Sequence, residues 1–357
     1  MSKHSWLGSR WKLVLNMVTL IALVILIFAI HQQLGDTFRN LAHVNAWILL
    51  LMVPIEVLNY HAQAKLYQRL FKIVGNDLEY KYLYRTSLEL NFVNHVFPSG
   101  GVTGVSYFGL RLRDGDILSS GKATLVQVMK LGLTFLSFEV LIVFGLFALA
   151  VKGHVNNLVI LVAASLSTLL VVGTFGFIYV VRSEERIKNF FTTFTKGLNK
   201  LIHLVRPKYP EAINILRARK VFDDFHDNYE AIEKNVSNLK KPFWYAFLAN
   251  LTEVGALYIV YLAFGEPVNV GAVILAYAIA NFAGFVSVLP GGVGIYEALM
   301  TAVLASTGVR AAVSLPVTIM YRVVNTIIQL PPGYYFYHKN LHDRDSVSRE
   351  EHDAINT

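Results

Sequence analysis

The sequence predicts an all-α integral membrane protein, a polytopic helical bundle with about six full spans and two re-entrant broken helical hairpins in an inverted-topology repeat. Three observations carry that prediction. The 357 residues are 54% hydrophobic and only 16% charged, whereas soluble chains carry about a quarter charged residues. Apolar stretches of the roughly 20 residues needed to cross a ~30 Å hydrocarbon core recur along the chain. The Lys and Arg residues concentrate in alternate connections, as orientation by basic loops requires.

The first apolar run, "LVLNMVTLIALVILIFAI", follows Lys3, Arg10 and Lys12. It lacks a small-residue cleavage site and reads as a retained span rather than a signal peptide. Full spans are expected at about 12–34, 46–71, 120–151, 156–181, 242–264 and 311–338. Two further apolar regions, about 83–113 and 270–306, are interrupted at "FPSGGVTG" (97–104) and within "FVSVLPGGVGIYEALM" (285–300). Proline removes a backbone donor and glycine loosens the helix. Such backbone is tolerated at membrane depth only where it is buried in protein or lines a cavity.

Basic residues flank the first span, occupy 72–85, and crowd 182–241, whereas 35–45, 152–155 and 265–269 hold only Arg39 and Lys152. This pattern places both termini in the cytoplasm and the protein in the cell (plasma) membrane. The loops alternate correctly only if each broken region enters and leaves on one side, the first from the cytoplasm and the second from outside; Arg310 counts mildly against this. Spans 46–71 and 120–151 with the first dip then form a three-part unit, repeated upside down by 242–264, the second dip and 311–338. "NFVNHVFPSGGV" (91–102) resembles "NFAGFVSVLPGGV" (281–293) in the same sense. One membrane domain is expected over 1–345, with 182–241 as a cytoplasmic helical insertion and 346–357 as a disordered tail. Within the insertion, 210–234 reads as an amphipathic helix.

Ionisable groups inside spans are costly and by default mark a pathway or site. Those least explained by helix ends are Glu56, Arg85, Glu89, His95, Lys130, Glu139, Glu253, Glu297 and Arg322. Arg322, Asn325 and Gln329 share one face of the last span. An arginine there offers a planar fork for phosphate or carboxylate, or else a structural partner for Glu297 or Glu253. Glu56 with Asn59 and Glu253 with Asn250 form acid–amide pairs on spans in equivalent places, expected to sit symmetrically; interhelical hydrogen bonding is the plainer use of the asparagines. The breaks present backbone N–H groups suited to anions, with Pro98, Gly100 and Gly101 in the first and Pro290, Gly291, Gly292 and Gly294 in the second. Neither break has the Lys-Ser/Thr of a phosphate-binding nucleotide loop. No cysteine is present, and no histidine spacing points to a metal. No catalytic constellation, cofactor or nucleic-acid partner is expected.

Pro-Gly-Gly-Val-Gly-x-x-Glu at 290–297, with the earlier Pro98, Gly100 and Gly101, resembles the lysylphosphatidylglycerol synthase transmembrane-region family, whose members are often labelled flippase-like. The resemblance spans about 10–340. It implies a bundle with two re-entrant segments and places Glu297, and Arg322 on the final helix, among the family's motif positions. Lipid-synthase members are implied to flip their aminoacylated lipid between leaflets. Those members continue into a soluble synthase domain, and this chain stops at Thr357, so the resemblance carries no aminoacylation here. Gly104 and Ser106 stand where many relatives place an acidic residue, which separates this chain from an identical lipid substrate. The function expected is translocation of a membrane phospholipid or other polar lipid, with anionic lipid at the cytoplasmic surface. The competing readings are a non-catalytic membrane subunit assisting a separate lipid synthase or glycosyltransferase, and a lipid-modifying enzyme. A homo-oligomer is left open.

Overall fold

A computed structural model describes residues 44–96, 107–109, 111–112, 120–151, 157–181, 236–286 and 294–355, with scattered positions between 183 and 193. The expected span at 12–34, the helix at 210–234, and the breaks at 97–106 and 287–293 lie outside them. The described chain is helical: α1 (Ala46–Leu49), α2 (Met52–Ile73), α3 (Tyr80–Val96), α4 (Ser120–Val151), α5 (Asn157–Val181), α6 (Lys240–Ala263), α7 (Val270–Val286), α8 (Ile295–Ser306) and α9 (Ala311–Ile355). It is an all-α polytopic membrane protein. Prolines sit where a helix tolerates them, at Pro54 and Pro242 in first turns that have no donor to lose. Pro316, Pro331 and Pro332 lie inside α9.

Four described helices are long and apolar enough to cross a membrane, over Gly121–Val151, Val159–Gly176, Ser237–Ala263 and Ala311–Asn340. The expected span at 46–71 is helical but misses that standard, because α2 carries Glu56, Asn59, His61, Gln63, Lys65, Gln68 and Arg69. Its polar face is turned into the protein, with Glu56 and Asn59 buried. The last span runs on as helix to Ile355, where the sequence predicts a disordered tail from 346. Once a helix is nucleated, each added residue gains a hydrogen bond without a new nucleation cost.

The repeat is written in the turns. α2 ends through Val74, Gly75 and Asn76, whose N–H groups bond the carbonyls of Leu70, Lys72 and Phe71. α6 ends through Phe264, Gly265 and Glu266, bonded to Val260, Leu262 and Tyr261. Gly75 and Gly265 take left-handed φ values of 83° and 71°, which close each helix at no Cβ cost. A 17-residue helix follows each turn, α3 and α7. Equivalent positions stand 190 residues apart, and the side chain of Asn59 bonds the carbonyl of its own equivalent, Ala249.

Contacts sort the ends onto two faces. On the first, the Asn45 N–H bonds the Ala263 carbonyl at 3.0 Å, Asn269 reaches Ala148 near the end of α4, and Arg310 pairs with Glu266 at 3.3 Å. On the second, Lys122 bonds Asn76 at 3.2 Å, and Leu239 and Phe243 pack with Phe71 and Val74. The long helices α2, α4 and α6 therefore run between opposite faces, whereas α7 begins and α8 ends on the first. Two close approaches hold the bundle. A Cβ on Gly271 of α7 would lie 2.3 Å from the Gly145 carbonyl of α4, and one on Gly333 of α9 would lie 2.7 Å from the Leu88 carbonyl of α3. Small residues let membrane helices touch through their backbones.

Candidate functional site

The polar centre forms where α2, α3, α6 and α9 meet. Gln329 of α9 donates through Nε2 to Glu56 Oε2 at 2.7 Å and to Asn325 Oδ1 at 2.9 Å. Its Oε1 accepts from Asn91 Nδ2 at 2.6 Å. Asn91 also bonds the Tyr60 hydroxyl. Asn325 Nδ2 reaches Glu253 Oε2 at 3.5 Å, and the Tyr321 hydroxyl donates to the same oxygen at 2.6 Å. Two carboxylates from α2 and α6 are thus bridged by two amides one helical turn apart on α9. Glu56 is 1% exposed, and its Oε1 has no hydrogen-bond partner among the described residues. A buried carboxylate oxygen left without a donor is expensive.

Depth follows from helix rise. Glu56, Glu253 and Arg322 each lie roughly 15 Å along their helices from the first face, about half of a ~30 Å hydrocarbon core.

Glu297 explains the charge beyond the second break. At the third residue of α8, its Oε2 accepts the Gly294 N–H at 2.7 Å. Gly294, with φ 87°, opens the helix in a conformation that favours glycine. Oε1 of Glu297 takes the Arg322 guanidinium, both groups being largely buried, and that guanidinium also lies 5.0 Å from the Tyr296 ring centre. The expected Glu297–Arg322 pair is therefore present, and it ties the segment after the break to α9. Both Glu297 oxygens are engaged, which gives this residue a supporting position.

A second buried pair is less visible in the sequence. Glu89 of α3 accepts from Arg111 Nε at 3.0 Å and from the Tyr107 hydroxyl at 2.7 Å. It joins α3 to the segment after the first break, whereas Glu297–Arg322 joins the segment after the second break to α9. Lys130 of α4 donates to Gln63 Oε1 and the Tyr67 hydroxyl, both at 3.1 Å. His95 bonds the Asn91 carbonyl at 2.9 Å.

The expected symmetry of the acid–amide pairs fails. At the repeat spacing of 190 residues, Glu56 corresponds to Ala246 and Glu253 to Gln63. The asparagines serve helix packing instead, Asn59 on Ala249 and Thr252, and Asn250 on Ser137 and Thr134. The structure brings Glu56, Glu253, Asn325, Glu297, Arg322 and Gly294 to the middle of the bundle. Pro98, Gly100, Gly101, Pro290, Gly291 and Gly292 lie outside the described residues. Asn91, Tyr60 and Tyr321 were missed as members of the centre. Asn91 had a signal in the Asn-Phe shared by the two breaks; the tyrosines had none, since a buried aromatic is ordinarily core.

The family model for the lysylphosphatidylglycerol synthase TM region matches residues 14–333, which include both halves and the polar centre. The chain belongs to this family. Within it, UPF0104 membrane proteins of Methanothermobacter thermautotrophicus are similar at 28% identity over 143 residues, 40% of this chain and 35% of the relative, and at 22% over 261 residues, 71% and 74%. A UPF0104 membrane protein of Pyrococcus horikoshii, PH1989, matches at 24% over 102 residues, 29% and 30%. The chain thus spans about a third of two of these curated relatives in the matched regions and about three quarters of another. As a member of the lysylphosphatidylglycerol synthase TM-region family, the protein is embedded in a membrane by several apolar helices.

Proposed function

We propose that the protein moves a polar lipid, or a lipid-linked headgroup, between the leaflets of the cell membrane. The observation that supports this most is the carboxylate–amide centre at about half depth, between two similarly built halves. Intramembrane ionisable groups mark pathways, and paired repeats with interrupted helices bind their cargo at the interface between them. Glu56, Glu253 and Asn325 contact the headgroup in this reading. Arg322, paired with Glu297 at similar depth, adds a positive charge beside that contact.

The protein acts as a transporter, not an enzyme. The central side chains bind and orient, and His61 and His95, beside the centre, bond a tyrosine hydroxyl and a backbone carbonyl rather than an activated nucleophile. The second face is cytoplasmic in this reading, because Lys72, Lys122, Lys240 and Lys241 belong to it and outnumber Arg310 on the first. Both termini lie on that cytoplasmic side, facing anionic lipid.

The deciding experiment reconstitutes the chain in liposomes carrying fluorescent phospholipids and follows their exposure to a membrane-impermeant quencher. Protein-dependent loss of inner-leaflet fluorescence is expected, and Glu56→Gln should slow it by about tenfold or more. Transport-free liposomes across phosphatidylglycerol, aminoacylated and lipid-linked sugar probes would replace this reading with that of an accessory subunit. The chain has no cysteine, so single cysteines at Asn76 and Glu266 report the sidedness, with labelling from outside expected only at the latter.

A further inference from the structure

A groove of about 840 Å³ opens on the side of the bundle between α2, α3 and α9. Its floor is apolar, built from Pro54, Val57 and Leu58, and Val57 and Leu58 are 54% and 40% exposed. Its rim carries Lys81 and Arg85, one helical turn apart on α3 and therefore on one side of it. Neither forms an ion pair among the described residues. The nearest carboxylate along α3, Glu89, is taken by Arg111 and Tyr107. The Arg85 guanidinium lies 5.5 Å from the Phe336 ring centre, which orients its plane.

From these observations we infer that the groove seats one anionic phospholipid, its phosphate held by Lys81 and Arg85 and an acyl chain lying on Pro54, Val57 and Leu58. The geometry suits a lipid of the second-face leaflet. α3 begins shortly after the 74–79 turn on that face, where headgroups reside, while Pro54, Val57 and Leu58 flank Glu56 at about half depth, where acyl chains end. A soluble phosphate would gain nothing from the apolar floor, and a zwitterionic lipid would gain little from two cations that form no ion pair among the described residues.

The seat adjoins the polar centre. The Tyr84 ring meets the Tyr60 ring edge-on at 6.3 Å, and the Tyr60 hydroxyl accepts from Asn91 in the centre. On the groove side, Tyr80 packs on Tyr84 at 5.8 Å and bonds His61 at 2.8 Å. A wall of tyrosines thus separates the groove from Glu56 and Gln329, and parting Tyr84 from Tyr60 opens a lateral path between them. The use of the seat as a waiting position rests on the transport reading; the binding of the lipid does not.

The test uses the purified full chain and equal amounts of phosphatidylglycerol and phosphatidylcholine, with retained lipid read by native mass spectrometry. Phosphatidylglycerol should be retained in preference. Lys81→Gln combined with Arg85→Gln should cut that preference about tenfold or more, the scale expected for two basic side chains near a membrane surface. Val57→Trp, which fills the floor and leaves both charges in place, should also displace the lipid. Lys72→Gln, an exposed lysine paired with Asp77 away from the groove, should change nothing. Unchanged preference in the double variant, equal retention of phosphatidylcholine by the wild type, or displacement by millimolar glycerol phosphate would each overturn the proposal. Binding is read without translocation, so lipid held at the groove by a protein that moves none would count against the transport reading alone.

Discussion

The two halves share a frame and differ in what they place on it. Both close their first long helix with the same three turn hydrogen bonds and then run a 17-residue helix toward a glycine-rich break. Both secure the broken region with a buried carboxylate–guanidinium pair. In the first half the acid sits before the break, Glu89, and the base after it, Arg111. In the second the acid sits after the break, Glu297, and the base on the following span, Arg322. The first half also turns a polar α2 inward, while α7 of the second, apolar but for Asn281, packs backbone to backbone on α4. A repeated scaffold thus fixes helix lengths and turns, whereas the chemistry is asymmetric. Gln329 and Asn325 of α9 reach both acids, and α4 answers with Lys130. An asymmetric centre on a symmetric frame suits a cargo with two unlike ends.

The largest effect should come from Gly271→Val. The first atom of the new side chain would stand 2.3 Å from the Gly145 carbonyl, and backbone cannot yield as a flexible side chain does. Overpacking of this kind costs about 3 kcal/mol or more, and the folded, extractable protein should be lost in size-exclusion profiles. The equivalent residue of the first half, Lys81, is exposed, so Lys81→Val should leave the profile intact. Equal tolerance at both positions would mean that the α4–α7 crossing does not distinguish the halves.

The buried pairs come next. Glu297→Gln or Arg322→Gln alone strands a charge at about 3–5 kcal/mol, and the same holds for Glu89→Gln or Arg111→Gln. The paired replacements, Glu297→Gln with Arg322→Gln and Glu89→Gln with Arg111→Gln, strand nothing and should recover thermal stability in detergent. A glutamine at 297 still accepts the Gly294 N–H, whereas an arginine there has no acceptor, so the double neutral variant is a cleaner probe than a charge swap. On the transport reading, which sets Arg322 on the passage, transport should return in the Glu89/Arg111 double variant and stay absent in the Glu297/Arg322 one. Recovery of transport in both would reduce Arg322 to a structural role.

What the sequence made legible follows the same division. The spans at 120–151, 156–181, 242–264 and 311–338 and the Glu297–Arg322 pair were readable because hydropathy and helix rise are local or additive. The symmetric placing of the acid–amide pairs failed as a matter of register. Placing Glu56 opposite Glu253 required the offset between halves, and that is fixed by turns at Gly75 and Gly265, whose equivalence shows only in hydrogen bonds. Glu89 stood out as a charge in an apolar region, yet nothing in the sequence pointed to Arg111 as its partner, because the break between them hides the return path. Tyr60 and Tyr321 looked like core because a tyrosine declares its hydroxyl only when its neighbours are known.

The central acids give a sharper but smaller change in stability. Glu56→Gln removes a buried oxygen that lacks a donor, so the variant should be at least as stable as the wild type, since a neutral amide is less costly to bury than an unmatched carboxylate. Its transport should nevertheless fall by about tenfold or more in the quenching assay, the scale of losing one charged contact. Glu253→Gln should lose transport too but keep the wild-type stability less well, because the Tyr321 hydroxyl and Asn325 amide already satisfy that carboxylate. Identical behaviour of the two would restore the symmetry that the register argues against.

The smallest effect is expected at the loop ion pairs, one in each half. Arg310–Glu266 spans 3.3 Å with side chains 75% and 44% exposed, and Lys72–Asp77 spans 3.6 Å with side chains 62% and 71% exposed. Pairs this open to solvent contribute roughly 0–1 kcal/mol and fade with salt. Arg310→Gln and Lys72→Gln should therefore leave the thermal midpoint unchanged within error at moderate ionic strength. The two differ in what else they touch. Lys72 belongs to the basic second face, and its removal slightly weakens the charge bias that orients the chain. Arg310 is the exception on the first face, so its removal strengthens that bias. Cysteine labelling at Glu266 should accordingly stay fully external in Arg310→Gln. A fraction of molecules labelled at Asn76 from outside in that variant would show that the Arg310–Glu266 pair, rather than the basic loops, sets the orientation of the second half.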